Sequence, residues 1–167
     1  MTAAPHAVMR VLDDQYLDRP FRVLTWLGAL SVVAGGVVAA VTGPLELDKG
    51  SWLAAYLVLV SGVSQFVIGQ APARLAVRPI SSRWAWSLVA SWNLGNAAVI
   101  SGTLLALPQL VDVGSVLLVL GLGIAAFSVR GGDPSTRALG WAYRFVLLVL
   151  AISIPIGVLL AHVRHSA

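Results

Sequence analysis

Five long apolar stretches alternate with short polar segments along this chain, at about residues 23–42, 52–70, 84–107, 113–129 and 139–161. Each is nearly free of charge and close to the roughly 20 residues that a helix needs to cross about 30 Å of hydrocarbon. No period-two alternation runs through them, so helices are expected over a barrel, the only other structure whose backbone is satisfied in lipid. The pattern predicts an all-α, polytopic integral membrane protein, a single bundle of five transmembrane helices. Residues 1–20 form an N-terminal segment, 21–162 the transmembrane domain and 163–167 a short external tail.

Composition agrees with that solvent. Of the 167 residues 58% are hydrophobic and 11% charged, with a mean hydropathy of +0.87; soluble domains carry about 25% charged residues. The spans leave no length for a separate soluble domain. Some twenty residues, including Asp13, Asp14 and Asp18, precede the first span. That start is unlike a cleaved signal peptide, and a retained first helix is expected. With no cysteine in the chain, disulfides and thiolate chemistry are excluded.

Charge placement sets the expected orientation. Arg10, Arg19, Arg22, Arg74, Arg78, Arg83, Arg130, Arg137 and Arg144 fall on one side of a five-span topology, and Lys49 and Arg164 on the other. The positive-inside rule then puts the N terminus in the cytoplasm and the C terminus outside. Ten of the eleven basic residues are arginine, a compositional hint of a GC-rich genome and of a bacterial plasma (inner) membrane. The net charge of +4 reads as membrane orientation and contact with anionic lipid headgroups, not as nucleic-acid binding, because no basic patch with interleaved aromatics lies outside the spans. Arg74, Arg78, Arg83, Arg130, Arg137 and Arg144 are the candidate headgroup or partner contacts. Arg144, nearest the core, can snorkel to the interface.

Local signals suggest helix starts at Pro20, Ser51, Ser81-Ser82, Asp112 and Asp133-Pro134. Trp26, Trp52, Trp84, Trp86 and Trp141 fit interfacial belts, and Trp92 fits packing between helices. In the N-terminal segment Val8, Leu12 and Tyr16 recur at helical spacing, which suits a short amphipathic helix; its acidic side could pair with the arginine belt. Pro155 predicts a kink in the fifth helix.

Polar residues within spans concentrate in the second and third helices. Ser61, Ser64, Gln65, Asn93 and Asn96 form a candidate polar seam or ligand site. Gln65 lies about 20 Å from the outer start of its helix and Asn93 about 13 Å inward from Trp84. In antiparallel helices these depths coincide, so an amide–amide hydrogen bond is expected. Such a seam either locks the two helices together or lines a cavity for a small neutral solute, a lipid headgroup or water. Small residues recur every four positions as Ser31, Gly35, Ala39 and Gly43, as Ser87, Ser91 and Gly95, and as Gly121 with Ala125, which suits close helix packing.

No catalytic set can be assembled. His6, His162 and His165 lie in the tail or at the far end of the fifth helix, so no intramembrane haem pair, triad or metal cluster is expected, and no cofactor. No span carries a mid-bilayer carboxylate or histidine for proton coupling, and no convincing inverted repeat divides five spans evenly. The leading expectation is a non-catalytic accessory or scaffold subunit of a membrane complex, with a membrane-protein partner or self-association. The alternative is a small transporter or binding protein for a neutral solute or lipid at the amide seam.

Overall fold

The computed structural model describes residues 5–74, 81–128, 140–141 and 143–153, with side chains over 19–71 and from residue 81 onward. All secondary structure among them is helical. Helix α1 is Pro5–Thr42. The next segment runs as α2 (Gly50–Tyr56), a π-helical stretch (Leu57–Val63) and α3 (Ser64–Arg74). Then come α4 (Ser82–Leu104), α5 (Pro108–Ser128) and the shorter α6 (Tyr143–Ser153).

Three helices are long and apolar enough to cross a membrane: Arg19–Thr42 within α1, Gly50–Ala71, and Pro108–Ser128. Helix α4 is longer than α5, at 23 residues against 21, and falls short on hydropathy, since Asn93, Asn96 and its serines dilute the apolar run. Helix α6 covers only part of the stretch expected over 139–161; Pro155, Asp133-Pro134, His162 and His165 lie outside the described residues.

The helix ends correct three expected starts. Pro20 does not begin α1 but sits inside it. Proline costs an interior helix one hydrogen bond, and here its ring is fully buried against the bundle, which offsets that loss. Helix α1 is therefore continuous over 38 residues, about 57 Å at the α-helical rise, and residues 5–18 prolong the first span. Asp112 is likewise interior to α5. Pro108, whose fixed φ suits a first turn, starts that helix, while the Leu107 carbonyl accepts from the amides of Leu110 (3.1 Å) and Val111 (3.4 Å). Lys49, not Ser51, precedes the first turn of α2, with its carbonyl accepting from Leu53 N at 2.9 Å. Ser81 does sit at the N-cap of α4, with an extended backbone, though its hydroxyl makes no capping bond.

The helices form two antiparallel hairpins, α1 with α2–α3 and α4 with α5, which meet mainly where α1 crosses α4. Glycines hold each hairpin closed. A Cβ on Gly28 would come within 2.8 Å of the Gly62 carbonyl oxygen, and one on Gly35 within 2.9 Å of that of Ala54. In the second hairpin Gly95 and Gly114 face each other, each Cβ position within 2.9 Å of the other's carbonyl oxygen. The contact positions recur every seven residues (28 and 35, 62 and 69, 95 and 102, 114 and 121), so backbones approach along a straight seam. Of the four-spaced stripe on α1 only part lies inside: Gly35 is buried and Ser31 half-buried, while Ala39 and Gly43 are exposed. A four-residue step drifts around the helix relative to a neighbour, whereas seven residues return to almost the same face. Leu24, Ile68, Leu88, Trp92 and Leu118 form the core between the hairpins, joined by Tyr143, Leu147 and Leu150 of α6.

Candidate functional site

The amide seam lies at the junction of the two hairpins. Gln65, in the first turn of α3, is fully buried, and its Nε2 donates to Asn93 Oδ1 of α4 at 3.1 Å. Asn93 Nδ2 donates in turn to its own helix, to the Val89 carbonyl at 2.8 Å. One turn on, Asn96 is buried and its Nδ2 donates to the Trp92 carbonyl at 2.8 Å. The sequence-derived set therefore divides. Gln65 and Asn93 meet across the junction, and Asn96 follows on the same helix.

The two serines face elsewhere. Ser61 Oγ donates to Ser31 Oγ of α1 at 3.2 Å, inside the first hairpin. Ser64 Oγ donates to the Leu59 carbonyl, five residues back, at 2.8 Å. The Ser64 backbone N–H donates to the same carbonyl, the five-residue bond of a π-helical turn, so the hydroxyl is its second donor.

Three buried polar atoms in this region have no hydrogen-bond partner: Gln65 Oε1, Asn96 Oδ1 and Trp92 Nε1. All three side chains are at least 97% buried. They are two acceptors, on Gln65 and Asn96, and one donor, on Trp92 one turn before Asn96. A small neutral molecule that both donates and accepts hydrogen bonds, water being the smallest, has the chemistry to pair with such groups. Unpaired polar groups in a low-dielectric interior are costly, which makes them the chemically responsive part of the bundle.

Three of the six arginine candidates are among the described residues, each near a helix end. Arg74 closes α3, Arg83 is exposed in the first turn of α4 and Arg144 is exposed in α6. Arg78, Arg130 and Arg137 lie outside the described residues. Arg22 and Arg83 mark the end of the bundle away from both hairpin turns, and Lys49 marks the turn end. Trp26, Trp84, Trp86 and Trp141 are exposed, and Trp92 is 1% exposed. No three His, Asp or Glu side chains cluster among the described residues.

Sequence reasoning missed Lys49 as a structural group. Its Nζ donates to the carbonyls of Thr103 (2.6 Å) and Leu104 (3.3 Å), so the first turn caps the C-terminal end of α4 with a cation. Tyr143 was also missed; its hydroxyl donates to the Ala125 carbonyl at 3.3 Å and fastens α6 to α5. A lone lysine in an otherwise arginine-based chain was the signal for the first, and nothing in the spacing marked the second. No family model, curated protein or solved structure matches the chain.

Proposed function

We propose that the chain is a small non-catalytic membrane protein with five spans, its N terminus cytoplasmic and its C terminus outside. It serves as an accessory or scaffold subunit of a larger complex in a bacterial plasma membrane. Helix α4 and the segment containing α6 supply the third and fifth spans in this reading, and the arginine-rich end faces the cytoplasm. One observation carries it. In the apolar window of α1 only 17% of residues are buried, against 39% in each of the other two candidate spans. The free side of α1 shows Gly36, Ala39, Ala40 and Gly43 at helical spacing, and a Cβ on Gly36 or Gly43 would meet nothing within 4 Å. The first span is thus peripheral in its own bundle and offers a close-packing face to another membrane helix.

The test is extraction of the tagged full chain from its native membrane in mild detergent, with mass determination of what co-elutes. A stoichiometric membrane complex that is lost on Gly36→Leu, while the chain itself stays folded, is the expected result. A lone chain of unchanged mass in both cases overturns the scaffold reading.

The orphaned Gln65, Trp92 and Asn96 atoms favour a second reading, a binding or transport site for a neutral solute or lipid at the junction. Replacing Gln65 and Asn93 together with leucine separates the two. Under the scaffold reading stability or partner retention changes; under the second the bundle persists and a bound small molecule is lost.

A further inference from the structure

We infer that the chain is a tandem repeat of one helical hairpin at a spacing of sixty residues, and that a one-residue insertion in the first copy turns Gln65 onto the junction with the second.

The turns carry the repeat. Glu46 (φ 48°) and Ala106 (φ 55°) are the two non-glycine residues with left-handed backbone among those described, and they stand sixty residues apart. Around them the hydrogen bonds repeat at the same spacing. Leu45 N donates to Val41 O (3.0 Å), as Leu105 N does to Ser101 O (2.9 Å). Leu47 N donates to Thr42 O (3.0 Å), as Leu107 N does to Gly102 O (2.8 Å). Gly50 N donates to Leu47 O (2.9 Å), as Leu110 N does to Leu107 O (3.1 Å). The bond that spans five residues, with a left-handed residue before its donor, is the Schellman closure of a helix C terminus. Both copies place it in a Leu-x-Leu whose middle residue is not glycine, which most left-handed caps prefer.

The packing repeats in the same register. Gly35 abuts Ala54 and Val58; sixty residues on, Gly95 abuts Gly114 and Leu118. Trp26, Ser31, Gly35 and Leu57 recur as Trp86, Ser91, Gly95 and Leu117. Before the π-helical stretch ends the spacing changes by one. Gly62 packs against Val32, and its counterpart against the equivalent Trp92 is Gly121, fifty-nine residues later. A π-helical turn accommodates one additional residue within an α-helix, so Leu57–Val63 is where the first copy holds it. That residue turns the helix beyond it by about 100° relative to an uninterrupted copy. Gln65 lies just past this step and reaches Asn93 of the other copy. The insertion makes one face of a glycine-closed hairpin recognise an amide on its neighbour. Lys49, reaching the last carbonyls of α4, holds the two turns at one end.

The test uses the full chain in detergent micelles, with the midpoint of SDS unfolding as readout. In the parent, Gln65→Leu and Asn93→Leu together should shift the midpoint no further than the larger single shift, because both remove one bond. Deleting Val60 removes the additional residue and should render the two shifts additive. Additivity in the parent, or coupling that survives the deletion, overturns the insertion. Single cysteines at position 46 or 106, in a chain that has none, should be labelled by an impermeant maleimide from the same side of the membrane, in the parent and the deletion variant alike. Labelling from opposite sides overturns the repeat. Should the deletion variant fail to insert, amide exchange in the parent decides. Residues 57–63 should exchange about tenfold faster than residues 117–122, since the π turn has the weaker hydrogen bonds, and equal protection overturns the insertion.

Discussion

The seams inside the hairpins and the seam between them are built from opposite materials. Inside each hairpin glycines bring backbones into contact, as at Gly28 with Gly62 and Gly95 with Gly114. Between the hairpins bulky side chains, Leu24, Ile68, Leu88 and Trp92, keep the helices further apart, and one amide pair bridges the gap. Lipid supplies little hydrophobic drive to bring apolar helices together, so association rests on close packing or on polar bonds. This molecule uses the first for sequence neighbours and the second for partners chosen at a distance. Glycine contacts are strong but unspecific, since any small residue offers the same surface. An amide pair has one register in which it is satisfied.

The largest expected effect tests the glycine seams. Gly114→Leu places its side chain against the Gly95 carbonyl and Val99, both within 2.8 Å of a Cβ, and only backbone displacement can relieve it. A loss of about 3 kcal/mol is expected in SDS unfolding. Gly123→Leu in the same helix, where a Cβ meets nothing within 4 Å, should stay within about 0.5 kcal/mol. Leucine is the better helix former at either position, so equal losses at both would show that the close approach of Gly114 to α4 is not what the substitution disrupts.

Next is the amide junction. Gln65→Leu leaves Asn93 Oδ1 without its donor but also removes the orphaned Gln65 Oε1. The two effects oppose, and a net loss of about 1 kcal/mol is expected, the scale of polar bonds within membranes. Asn96→Leu removes an orphaned acceptor and a bond only to its own helix, so it should cost less than Gln65→Leu, or stabilise. A greater loss at Asn96 than at Gln65, read from the same unfolding midpoints, would mean that Asn96 Oδ1 has a partner in the membrane.

The two seams were not equally legible in the sequence. Depth along two antiparallel helices depends only on rise and on where each begins, so residue spacing alone puts Gln65 and Asn93 at one level, and they stand 3.1 Å apart. The glycine seams were harder, because inward and outward glycines look alike in a row of letters. Gly35 is buried and Gly36 exposed, and only the neighbouring helix separates them. Ser61 and Ser64 were grouped with Gln65 by proximity in sequence, but the π-helical stretch alters the phase between them and no simple periodicity carries that. The expected starts at Pro20 and Asp112 failed for a related reason. Local capping preferences are weak beside burial, and a buried proline is kept inside a continuous helix when the bundle holds its ring.

The smallest effect sharpens the comparison most, because it probes the contact where the hairpins touch through charge. Lys49 Nζ is exposed at its site and reaches the carbonyls of Thr103 and Leu104. Lys49→Met keeps the stem and removes the cation, so the loss should be that of a surface charge at a helix C terminus, about 0.5 kcal/mol. A bond of this kind weakens with salt. Raising the ionic strength should therefore lower the parent's unfolding midpoint toward that of Lys49→Met and leave the variant almost unmoved. A variant that responds to salt as the parent does would place the electrostatic link elsewhere and leave the Gln65–Asn93 pair as the polar tie between the two hairpins.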